Sequence, residues 1–170
     1  MNSRDHLMEI YKKFQTSEDL LRLLYYYPTD NNGNYSNPLS QDKQNILDMS
    51  PLEKLNIIKD RIRFTKSIDG MGTDENHICR IIFYAGRRSV TSNRLTMNQD
   101  INFDIIVHRE FNDNDMRLEW IKDVVDKILV YEDYSSFGEV KQLSGKEISG
   151  LPEGYIGYQL TYNFGDLIDK

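Results

Sequence analysis

Cysteine, histidine, proline and long apolar runs are what this chain has least of. Its 170 residues include one cysteine, Cys79. An intrachain disulfide is therefore excluded, and a reducing compartment is the expected one. Cys79 lies among isoleucines in HICRIIFYA and reads as a small buried hydrophobe. The three histidines, His6, His77 and His108, are far apart in sequence. None has a second histidine, a cysteine or a carboxylate at metal-ligand spacing, so zinc is not expected. No segment has the apolar length of a membrane span. The opening MNSRDHLMEIYKKFQ lacks an apolar signal region and reads as an amphipathic helix. A basic excess is missing as well. Lys and Arg number 21 against 27 Asp and Glu, a net charge of −6, which argues against generic nucleic-acid binding.

The usual marks of catalysis are also absent. Gly70-x-Gly72 lacks a third glycine and precedes polar residues, so it reads as a turn and not a phosphate cradle. Asp30-x-Asn32-x-Asn34 resembles the start of a calcium loop, but Tyr35 stands at the glycine position and Gln41 at the terminal glutamate. Neither G-x-S-x-G nor a P-loop lysine occurs. Glu110 and Asp113 sit in a hydrophilic stretch, where nothing separates their pKa values for acid–base work. Asn34-Tyr35-Ser36 fits a glycosylation acceptor that means little without a secretory signal. The expectation is no catalytic residue, no cofactor and no metal.

What is present is pattern. Eleven Tyr, seven Phe and one Trp can supply a core. Leu7, Ile10, Tyr11 and Phe14 recur at helical spacing, and Leu20, Leu21, Leu23 and Leu24 follow a Thr16-Ser17 cap. Tyrosines 25 to 27 are expected to pack beneath the neighbouring helix. TDNNGNYSNPLSQDKQN has no hydrophobic period and reads as an extended arm, poorly ordered unless a partner holds it. Ser50-Pro51-Leu52-Glu53 is a capping box that opens a helix to about Lys59. RIRFTKSI starts an alternating strand at Ile62. FNDNDM reads as turn and cap before a helix from about Asp115 to Val130, with Leu118, Ile121, Val125 and Ile128 on its stripe. A strand over Val140–Ile148 is weaker, and Ile156, Tyr158, Leu160, Tyr162 and Phe164 alternate cleanly.

These elements predict an α+β fold. A mostly antiparallel sheet carries helices on one face, with a helical N-terminal extension and a long β-hairpin projection. The expected division is a helical region at 1–60 with an arm at about 28–49, followed by an α+β domain at 61–170. HICRIIFYA is apolar on both sides, so two covers are expected. The N-terminal helices are one and a neighbouring subunit could be the other.

The segment from His77 to Val107 is the most informative. HICRIIFYA and INFDIIV flank a polar tip over Gly86–Gln99 that carries Arg87, Arg88 and Arg94 and no acidic residue. Hairpin loops are normally short, so the expected role of Arg87, Arg88, Asn93 and Arg94 is contact between subunits or rings. Two readings stay open: a solvated edge guarded by cations, and a finger docking on an acidic surface. Contact with DNA is a third.

The succession of INFDIIVHREF, RLEWIKDVVDKIL and IGYQLTYNF resembles the tail-terminator and tail-completion proteins of the head–tail junction, or neck, of tailed bacteriophages. The resemblance spans about Ile62 to Asp169. It implies a non-enzymatic virion protein, assembled in the host cytoplasm, that forms a sixfold or twelvefold ring of identical copies. Such a ring joins portal or adaptor proteins to tail proteins, with genomic DNA passing through its channel. Residues 1 to about 60 exceed what a compact terminator needs, which turns the expectation toward a neck or connector adaptor. The alternative is a non-viral cytoplasmic protein-interaction module.

Overall fold

The computed structural model describes residues 3–72, 77–90, 96–131 and 140–167. Two helices come first, α1 (Ser3–Thr16) and α2 (Glu18–Tyr25), the second capped by the Ser17 hydroxyl. A 3₁₀ turn (Ile46–Asp48) leads to α3 (Pro51–Arg61), which has the expected capping box of Ser50 and Glu53. The strands are β1 (Ile62–Arg63), β2 (Cys79–Val90), β3 (Thr96–His108), β4 (Lys141–Glu147) and β5 (Tyr155–Leu167). Between β3 and β4 lie α4 (Arg109–Asp115), α5 (Arg117–Asp126) and a π turn (Lys127–Tyr131). The five strands form one sheet in the order β1-β2-β3-β5-β4, antiparallel except for the parallel β1–β2 pair. This is the expected α+β architecture.

The helices cover one face of the sheet. Ile81 and Phe83 of β2, Ile101, Phe103, Ile105 and Val107 of β3, and Leu160, Tyr162 and Phe164 of β5 are all buried there. Phe14 of α1 meets Phe83 and Phe103 with ring centroids 5.5 and 5.8 Å apart. Each such side chain contributes roughly 1.5–3 kcal/mol on burial. Leu118, Ile121, Val125 and Ile128 supply the α5 stripe that the 3.6-residue period predicts. Residues of α1, α2 and α3 belong to the same core as the sheet.

Several expectations are revised. The 28–49 segment is held by its own chain: Arg22 donates to the carbonyls of Ser40 (2.7 Å) and Lys43 (3.0 Å), and Tyr26 to that of Gln44 (2.7 Å). The strand expected from Ile62 onward stops at Arg63. Buried Arg80 takes up the carbonyls of Asp60, Ser67 and Asp69, which curls 60–69 into a loop across the sheet. The second cover of β2 is this loop and the 148–151 turn. Ile78, Ile82, Ile106, Met71 and Tyr155 cluster there, with Leu151 and Ile148 against them, so no neighbouring subunit is needed.

The stretch FNDNDM is helix and not turn. His108 caps α4 through Nδ1, and Phe111 is buried against Tyr27. Met116, in the left-handed region at φ 53°, separates α4 from α5. Asn112 Oδ1 then accepts the Leu118 N–H and restarts the helix. Arg117, fully buried, pairs with Asp115 at 2.6 Å and donates to the Leu23 and Tyr26 carbonyls, tying α5 to the end of α2.

Candidate functional site

Two places on the molecule invite a functional reading: the hairpin end of the sheet and a histidine cluster at its opposite end. The expected polar tip begins as continued sheet. Ala85 pairs with Ile101, and pairing resumes with Arg88 opposite Gln99, Ser89 opposite Asn98 and Val90 opposite Met97. Gly86 and Arg87 therefore face a single residue on β3, which is a β-bulge. Gly86 is where a side chain does not fit: a Cβ there would lie 2.8 Å from Asn102 Nδ2. The bulge shifts the alternation by one residue. Arg88 and Val90 consequently share the face of Gln99, on the helix side of the sheet.

β5 runs alongside as far as Leu167 opposite Thr96, so the projection is three-stranded. Gln99 is buried and donates to the Asp100 carbonyl at 2.8 Å. Arg87 and Arg88 are both exposed, and Val90 at the end of β2 is 70% exposed. Asn93 and Arg94 lie outside the described residues. Thus Arg87 and Arg88 stand on a stiff ribbon of sheet and not on a loop.

Beyond the clustered apolar patch, the face opposite the helices is polar. The Asp104 carboxylate, 4% exposed, accepts from Tyr84 (3.1 Å) and Gln159 (2.7 Å), with Lys66 at 3.5 Å. Thr161 donates to Asn102 at 2.9 Å and Asn163 to Asp100 at 2.8 Å. β4 forms the sheet edge, and all of its residues are exposed.

At the opposite end, the pairing of Cys79 with Val107 brings His77 beside His108. Their rings stack at 3.6 Å, 10° from parallel. His77 Nδ1 lies 2.5 Å from Glu110 Oε2, in the first turn of α4. His108 Nδ1 accepts the Glu110 N–H at 3.2 Å, and Tyr155 abuts the His108 ring edge-on at 5.0 Å. Burial, and after it the neighbouring His77, hold the His108 pKa below the ordinary imidazole value. His77 also lines a cavity of about 570 Å³ with Tyr25, Tyr26, Tyr27, Asp60 and Arg61. Sequence spacing missed this trio because only the sheet register brings His77 to His108 and Glu110. The signal was there in outline: the two histidines flank strands whose patterns predict antiparallel pairing.

Cys79 is fully buried, and burial pushes its thiol up to about 12, so it is a hydrophobe and not a nucleophile. Glu110 and Asp113, weighed as an acid–base pair, serve different ends, since Glu110 engages His77. Among the described residues no helix is long and apolar enough to cross a membrane.

The described residues thus form an α+β protein with one helix-covered sheet face, an exposed edge strand and a three-stranded ribbon. Sequence comparison makes this specific. A model of the YomW family matches residues 17–164, and the chain belongs to that family. The SPbeta prophage-derived uncharacterized protein YomW of Bacillus subtilis (strain 168) is 26% identical over 165 residues, covering 95% of both chains. Family membership associates the chain with bacteriophage.

Proposed function

We infer that this chain is a non-enzymatic structural subunit of the phage head–tail junction, working as a ring of identical copies between portal-side and tail-side rings. The observation that carries the reading is the three-stranded ribbon of β2, β3 and β5, which presents Arg87 in the bulge and Arg88 on the sheet directly after it. Backbone pairing on both sides of β3 makes that ribbon rigid, and a rigid projection binds without first losing loop entropy. The chain carries a net charge of −6, so the exposed Arg87 and Arg88 meet complementary charge on another copy of the same acidic protein. The exposed strand β4 at the sheet edge gives a second, different surface. Two unlike surfaces on one subunit are what a head-to-tail contact needs, and such contacts form a ring when the rotation between copies closes. The prophage-derived relative supports the viral setting.

The test is direct. Purified protein, alone and mixed with the portal and tail-tube proteins of its own phage, is examined by mass photometry and negative-stain microscopy. Rings are expected. A particle that stays monomeric in every mixture sinks the reading and favours an interaction module of another complex.

A further inference from the structure

We propose that His77, His108 and Glu110 form a binding site for one divalent transition-metal ion of the zinc type. One ligand atom from each lies within 4.8 Å of the other two. In a tetrahedral zinc site, ligand atoms about 2.0–2.1 Å from the metal stand roughly 3.3 Å from one another. The trio is compatible with that spacing: the His77–Glu110 contact is 2.5 Å and no pair of these ligand atoms is more than 4.8 Å apart. Insertion of an ion therefore asks for side-chain movement within the cluster and not for a refolding of the backbone around it.

The backbone holds the three groups from independent anchors. His77 immediately precedes β2, His108 ends β3, and Glu110 is in the first turn of α4. The Cys79–Val107 pairing locks the first two together. Parallel stacked rings do not aim their in-plane lone pairs at one point, so one ring turns about its Cβ–Cγ bond on binding. Tyr155 packs on His108 and the His108 Nε2 faces Gly154, so His108 keeps its place and binds through Nδ1, exchanging the Glu110 N–H for the ion. His77, with its side chain 27% exposed, is the one that turns.

Two imidazoles and one carboxylate select a borderline cation over calcium or magnesium, which prefer all-oxygen shells. Three protein ligands also leave a fourth position for water or an anion. Without metal the same atoms make a His77–Glu110 hydrogen bond beside a histidine helix cap, and the experiment separates these two states.

Untagged full-length protein, stripped with chelator and desalted, is titrated with Zn²⁺ against a chromophoric competitor. One ion per chain is expected, with a rise in thermal midpoint. His77→Gln and Glu110→Gln, checked for folding by circular dichroism, should each weaken binding by more than about tenfold, since even outer-shell changes cost about 10–100-fold. In the wild type, Zn²⁺ should move the ring resonances of His77 and His108 and leave that of buried His6 in place. This last readout decides the matter if a variant does not fold. Binding below one equivalent, unchanged affinity in both folded variants, or unmoved His77 and His108 resonances each overturn the site. The proposal stands independently of ring assembly.

Discussion

The two faces of one sheet are held by opposite means. Toward the helices, Phe83, Phe103, Tyr162 and Phe164 interlock with Phe14 and the leucines of α2, and burial of apolar area does the stabilising. On the other face, Asp104, Tyr84, Gln159, Asn102, Thr161, Asp100 and Asn163 form cross-strand hydrogen-bonded pairs. The first face is indifferent to direction and intolerant of lost volume. The second gains little net energy per bond but fixes which residues stand opposite one another. The difference teaches where the molecule spends rigidity. The apolar face makes the fold, and the polar face keeps the long strands β3 and β5 in register out to the ribbon end.

That contrast can be broken first where it is strongest. Phe103→Ala, at a fully buried ring that touches Phe14, Phe83 and Tyr162, should cost about 3–5 kcal/mol in denaturant unfolding. A loss below about 1 kcal/mol would mean that the core closes over the gap. Next, Arg117→Leu leaves Asp115 buried without its partner and frees the carbonyls of Leu23 in α2 and of Tyr26 just beyond it, an expected loss of about 3 kcal/mol. Adding Asp115→Asn should recover part of it, and a double variant no better than the single one contradicts the pairing.

On the polar face, Asp104→Ala should cost less, about 1–3 kcal/mol. It removes the shared acceptor of Tyr84 and Gln159. Amide exchange should then quicken in β3 and β5 more than in α1, and uniform quickening contradicts a register role. Ser50→Ala should cost about 1 kcal/mol through the lost cap, measured the same way. Smallest of all, Arg87→Glu with Arg88→Glu should change stability by less than about 0.5 kcal/mol. Yet it should abolish ring formation, and a normal ring yield from that variant removes the ribbon from the assembly surface.

Much of this was legible because the relevant signals are local. The Ser50–Glu53 capping box, the Ser17 cap, the stripe of α5 and the alternation of β3 and β5 each lie within one element. What escaped reading depends on arginine and histidine partners distant in sequence. Arg80 ends β1 early by collecting carbonyls from 60–69, and Arg22 ties down the segment taken for an arm. His77 reaches Glu110 only through strand pairing. A long polar side chain has several donors and no periodic signature, so its partners cannot be read from spacing.

By itself, then, the amino-acid order determined the fold class, the helix caps and which side of each strand is buried, because these follow from periodicity and short-range hydrogen bonding. Tertiary structure alone decided that the polar tip begins as a bulged, three-stranded ribbon and that two distant histidines stack, one of them on the Glu110 carboxylate. Register between strands is settled by the whole core at once, and only register tells which polar groups meet.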